Sequence, residues 1–331
     1  MSLAMINSKV AFKEGATWID STVMGMGRGP GNAKTEYTIL EFEDHRKVNP
    51  NLKNMSDLIS THFLPLKEDY SWGTNIFYFL AGKYRIHPTF IQEMLQDNRY
   101  ELPDVLSLIN HLKEVTSTSF SKETLEFGRQ LYHSKKDGTW NPSDILRNKE
   151  VLILGAGPSI TKHKEGIENY IKKNKPFVVA LNTKKSIKES LIDLRAACHP
   201  MRIVADAEDY NNLQQKIVMP YMQLPPELRD IIPDTSFLDY GICVKENKFN
   251  FGDLQSTIPL PLVIAYALSF VTAGRANKIY LAGFDGFDAN DSRSAEMNQI
   301  FHCYFQENKA CEVVSITPTK NNIPSISLYA L

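Results

Sequence analysis

The stretch VLILGAGPS, residues 151–159, decides the fold class. Four apolar residues in a row, closed by a glycine turn, predict a strand buried on both faces, as in a parallel sheet. Gly155 and Gly157 permit a tight turn and let backbone N–H groups approach a ligand closely. Pro158 suits the first turn of a following helix, and the Ser159 hydroxyl adds a donor. A helix start of this kind favours an anion, because unpaired N–H groups and the positive dipole end face outward. A dinucleotide fingerprint needs a third glycine at position 160, where this chain has Ile160, so NAD is disfavoured. A plain strand-to-helix bend would use the same glycines.

Outward from this turn the texture repeats. FVVALN (177–182), MRIVAD (201–206), KIYLAG (278–283) and EVVSIT (312–317) are further β-rich runs, and helical stretches lie between most of them. The expectation is an α/β fold with a doubly wound, mostly parallel, Rossmann-like sheet over residues 150–331. In open sheets of this class ligands sit beyond the carboxyl ends of the strands. Asn182, Asp206 and Asp285 each follow a run and would deliver polar groups to that edge.

The ordered set GAGPS, ALN, STIPLP, IYLAGFD and SITPT resembles bacterial CMP-sialic-acid-dependent sialyltransferases. It is also similar to families related to 6-hydroxymethylpterin diphosphokinase and to flagellin-glycosylation accessory proteins. The resemblance spans about residues 150–320. It implies that Gly155, Gly157, Ser159 and Asn182 hold the phosphates and ribose of a nucleotide such as CMP. It also places Thr317, Pro318 and Thr319 near the base or phosphate. The transferases carry a catalytic histidine between the GxD strand and the last strand. Here DANDSRSAEMNQIF has none; Arg293 falls near that place and His302 comes later.

The first part of the chain differs. Residues 1–50 hold an amphipathic segment, INSKVAFKEG, then ATWIDSTV, which predicts a buried strand, then the loop MGMGRGPGN and a helix from Thr35. HRKVNPNLKN predicts a connector. Residues 51–134 predict helices: NIFYFLAGKY, then PTFIQEML after the His87-Pro88 break, then ELPDVLSLINHLKEV with apolar residues at i, i+3, i+4 and i+7. Another opens at Ser121. Residues 135–149, with KKDGTWNPSD, predict a linker. His87 and His111 read as helix punctuation.

KEGATWIDSTVMGMGRGPGN resembles the closing βα unit of the metal-dependent pyruvate aldolases, the superfamily of 4-hydroxy-2-oxovalerate aldolase and hydroxymethylglutaryl-CoA lyase. The helices after it are similar to the small domain behind the barrel in those enzymes. The resemblance implies a remnant of a (β/α)8 barrel whose HxH metal ligands and catalytic Arg and Asp lie upstream. A divalent Mn or Mg ion would belong to the intact aldolase only, and this chain contributes no metal ligand.

Bulk properties bound the rest. The chain has 331 residues and net charge −1, which argues against a generic nucleic-acid or membrane surface. No apolar run reaches the roughly 18 residues of a membrane span. Met1–Ala4 does not open a signal peptide. Four cysteines without CxxC spacing, and eight histidines without HxH or HExxH, point to reduced structural thiols in the cytoplasm and to no metal site. The expected partners are a nucleotide or nucleotide-sugar, an enzyme docked on the helical domain, or copies of this chain in an oligomer. The functional expectation is the C-terminal part of a pyruvate aldolase (a carbon–carbon lyase) carrying a nucleotide-binding domain, with surface-glycan biosynthesis as its setting. The rival readings are a glycosyltransferase-like or diphosphokinase-like enzyme, and a non-catalytic docking module.

Overall fold

The computed structural model describes residues 3–45, 49–96, 100, 102–115, 136–210, 212–224, 229, 237–288 and 290–331. The chain divides into two compact units, Met1–Ser119 and Phe120–Leu331. The helix expected from Ser121 lies outside the described residues.

In the second unit, seven strands make one parallel sheet: β1 (Glu150–Leu154), β2 (Phe177–Leu181), β3 (Leu194–Ala196), β4 (Lys216–Met219), β5 (Phe237–Asp239), β9 (Lys278–Ala282) and β10 (Val313–Ser315). Their order is β10-β9-β1-β2-β3-β4-β5. The chain therefore winds one way from β1 through β5 and returns on the other side as β9 and β10. The order reverses between β1 and β9, the crevice where doubly wound sheets receive ligands. Leu154 pairs with Ala180 on one side and Ala282 on the other, so β1 and β9 end level and β2 runs one residue further. A smaller sheet of β6 (Gly241–Val244), β8 (Gln255–Ile258) and β7 (Asn250–Phe251) lies in the same unit.

The apolar runs explain the core. Val151, Leu152, Ile153, Val178, Val179, Ile279 and Leu281 are all fully buried. The helix Val263–Ala273 is apolar on every side, and all but its first residue is buried. Gly138 and Trp140, in the expected linker, are bound into this unit: their N–H groups donate to Leu254 O and Asp239 O, and Trp140 packs edge-on to Tyr240 and Phe270.

One expected strand is a helix. MRIVAD lies in Pro200–Ala205, with Asp206 as its C-cap. Pro200 starts it at N1, Ile203 and Val204 turn inward, and Arg202 pairs with Asp206 one turn later. The strand of that βα unit is the shorter LRA of β3, and the apolar runs of β4 (IVM) and β6 (ICV) are only three residues long.

The first unit is helical: Ala4–Lys13, Thr35–Glu41, Leu52–Leu58, Leu64–Tyr70, Ile76–Lys83, Pro88–Gln96 and Leu102–Val115. Here ATWIDSTV is not a buried strand. It touches Lys34 through a single bridge at Thr22, enters a short 3-10 helix at Val23 and leaves Trp18 89% exposed. Among the described residues of this unit no strand is available to satisfy its backbone, so no ladder forms. The glycine loop behind it is nonetheless held. The Trp72 indole donates to Met24 O at 3.1 Å, Gly73 N–H to Gly29 O at 3.2 Å, and the Thr74 hydroxyl to Pro30 O at 3.3 Å.

Candidate site at the carboxyl edge of the sheet

The β1 and β9 turns meet in the crevice, and glycines let them touch. Gly155 N–H donates to Ala282 O at 2.8 Å and Gly157 N–H to Gly283 O at 2.9 Å. A Cβ on Gly157 would lie 2.7 Å from Gly283 O and collide with the Asp285 carboxylate. Pro158 opens the short helix Pro158–Lys162 as expected. Its first donors meet an anion, and that anion is the chain's own. Asp285 accepts from Ser159 N–H at 3.0 Å and from the buried Ser159 hydroxyl at 2.7 Å. Two of the donors expected to face a ligand phosphate are thus held by Asp285.

Thr317 and Thr319 join the same assembly from the β10 side. Thr317 Oγ1 accepts from Gly283 N–H at 3.0 Å, and the Thr319 hydroxyl donates to Phe284 O at 2.6 Å. Lys320 N–H closes on Asp285 O at 2.8 Å. Seven of the nine expected residues (Gly155, Gly157, Pro158, Ser159, Asp285, Thr317 and Thr319) thus gather at one crevice. There they brace loop against loop.

The other two, Asn182 and Asp206, belong to a second cluster at the ends of β2 and β3. Asn182 takes a left-handed backbone, φ +55°, directly after β2. Thr183 is buried, and its hydroxyl donates to Asp206 Oδ2 at 2.8 Å; Arg202 Nε donates to the same carboxylate at 3.0 Å. Burial pushes the Asp206 carboxyl above its ordinary range, and the Arg202 charge and Thr183 hydrogen bond pull the other way. Beside it the Tyr210 hydroxyl is buried without a partner among the described residues. Asp206 reaches this place from a helix end rather than from the strand end expected.

The residue that sequence reasoning missed is Arg195. It is fully buried in β3, where it forms a bidentate pair with Glu189 at 2.8 Å for both oxygens. Its guanidinium also donates to Asn182 O at 2.8 Å, to Lys184 O at 3.4 Å and to Gln215 Oε1 at 3.4 Å. One arginine inside the apolar run LRAAC was the available signal.

Remaining candidates have structural partners. His87 Nδ1 accepts from Thr89 N–H at the start of its helix, and His302 is exposed and bonded to Gln306. Arg293 pairs with Asp291 and lies over the Phe287 ring. Burial pushes the Cys311 thiol up to about 11, away from thiolate reactivity. Among the described residues no three His, Cys, Asp or Glu side chains converge as a metal site would need. No helix among them is long and apolar enough to cross a membrane.

Residues 1–63 match the HMGL-like family. Over 43 residues the chain is 58% identical to the 4-hydroxy-2-oxovalerate aldolase of Brevibacillus brevis, which covers 13% of each chain. It is 46% identical to the enzyme of the same name from Pectobacterium atrosepticum, over 13% of this chain and 12% of that one. This chain thus matches only a small part of the length of those relatives. The MAf glycosyltransferase from Magnetospirillum magneticum AMB-1 is similar in structure over 70% of this chain and 43% of its own, at 14% identity and a TM-score of 0.43.

Proposed function

We propose that the second unit binds a nucleotide or nucleotide-sugar at the carboxyl edge of its sheet, CMP and CMP-sugars first among them. The observation that carries the reading is the coincidence of the strand-order reversal at β1/β9 with turns after β1, β2 and β9 that start within one residue of one another. Polar residues expected to recognise a nucleotide gather on those turns. The HMGL-like start, matched over residues 1–63, supports the further reading that the chain is the C-terminal part of an aldolase-like protein; a setting in carbohydrate biosynthesis follows only from a nucleotide-sugar ligand. In that reading a divalent ion and the carbon–carbon chemistry belong to a barrel, and this chain supplies the tethered nucleotide domain. Thermal denaturation of the full chain tests the binding: a nucleotide bound only by the folded state raises the Tm with concentration. A Tm unmoved by millimolar CMP, CMP-sugars and other nucleoside phosphates sinks the reading.

A second reading, partner docking on the first unit, is favoured by its exposed apolar side chains. Ile76 is 64% exposed and Phe79 48%, and Leu102 and Leu106 are exposed on the helix Leu102–Val115 that contacts theirs.

A further inference from the structure

Two turns at the sheet edge differ in what their donors do. After β1, the Gly157 and Ser159 donors are consumed by Gly283 O and Asp285. After β2, the side chains remain open: the Asn182 carboxamide is half-buried and Lys185 is exposed, each without a partner among the described residues. A carboxamide N–H and an ammonium on one turn suit an anionic oxygen.

That turn is held from two flanks. Asn182 opens it with a positive φ, which asparagine tolerates better than most non-glycine residues. The carbonyls of Asn182 and Lys184 both point at the Arg195 guanidinium, which a bidentate Glu189 orients from the far side. Gln215 completes the frame by accepting from Arg195 Nε and donating to Glu189 O at 2.8 Å. From the other flank Thr183 is tied to Asp206. A fully buried arginine would be costly if its only task were packing. Its Nη1 holds two carbonyls of one turn while Nη2 meets Glu189 and Nε meets Gln215, a spread over three nitrogens that the single ammonium of a lysine cannot match.

We propose that Arg195, oriented by Glu189, is a positioning residue that sets the Asn182–Lys185 turn in the shape that receives the ligand's anionic group. The inference rests on the nucleotide reading and deepens it. Arg195 touches no ligand. It works through the turn.

The test is a CMP titration of the isotope-labelled full chain, followed by NMR, with cytidine as the phosphate-free arm. In the unaltered chain CMP, and not cytidine, shifts the amides of 182–185 and the Asn182 side-chain NH2. In Arg195→Lys and Glu189→Gln those amides move before ligand is added. CMP affinity then falls about fivefold to tenfold, the loss expected when one ordinary hydrogen bond is misplaced. Tyr304→Phe, which loses the distant Thr272 contact, serves as a destabilised control that binds CMP as the parent does. Should Arg195→Lys fail to fold, Glu189→Gln decides, since Glu189 sits at the rim with its side chain 31% exposed. Parent-like affinity in both variants, or CMP shifts confined to the β1 and β9 turns, overturns the positioning role and leaves nucleotide binding standing. No shift anywhere in the unaltered chain overturns both.

Discussion

At the scale of single residues, Gly157 and Asp285 show how a motif can be legible while its use is not. The glycines of GAGPS announce a close approach, and the close approach is there. What approaches lies 126 residues away, in the turn after β9. Local sequence carries no record of so distant a partner, so the turn read as a ligand cradle whose anion is in fact a side chain. Gly157→Val therefore acts on the fold before it acts on a ligand. We expect a loss of at least about 1–3 kcal/mol in urea denaturation, the usual cost of overpacking. An unchanged midpoint would mean that the two turns separate readily. Asp285→Ala strands the Ser159 hydroxyl and N–H, and should cost about 1–3 kcal/mol by the same measurement.

Among elements, those written as continuous apolar runs were readable: β1, β2, β9 and β10 fall where VLIL, FVVAL, KIYLA and EVVS predict them. Helices with an apolar stripe, such as Leu102–Val115, were readable for the same reason. Three-residue strands such as β3 and β5 were not, because so short a run carries no period. MRIVAD misled because a buried helix of under two turns and a buried strand share composition. Its capping residue gives the element a pH signature. Burial raises the Asp206 carboxyl in the folded state, so the native chain holds that proton more tightly than the unfolded chain does. The contribution is present in full below the unfolded carboxylate value of about 3.9 and is lost as pH rises through the raised folded value. The stability difference between the parent and Asp206→Asn should thus shift in the parent's favour as pH falls from 7 toward 4. A difference independent of pH would show that Asp206 titrates normally.

Across the whole molecule, the division into two units sets what each can do. The first unit has the aldolase-like sequence at its start and a segment paired only by the bridge at Thr22, with Trp18 exposed. It offers no donor set for a divalent ion among the described residues. The full chain should release no pyruvate from 4-hydroxy-2-oxo acids when Mn or Mg is added. Metal-dependent release in a coupled assay would overturn that expectation. The second unit has its own core and the reversal point of a doubly wound sheet. That architecture was legible in the alternation of runs, whereas the Arg195 frame was not, since it joins β3 to loops on either side.

Isothermal calorimetry of the full chain with CMP tests the central claim most directly. The account predicts saturable one-to-one heat that is lost or strongly weakened in Asn182→Gly, a change that relieves the left-handed backbone while deleting the carboxamide. Absence of heat from CMP, CMP-sugars and other nucleoside phosphates at millimolar concentration, with the protein folded, would contradict it.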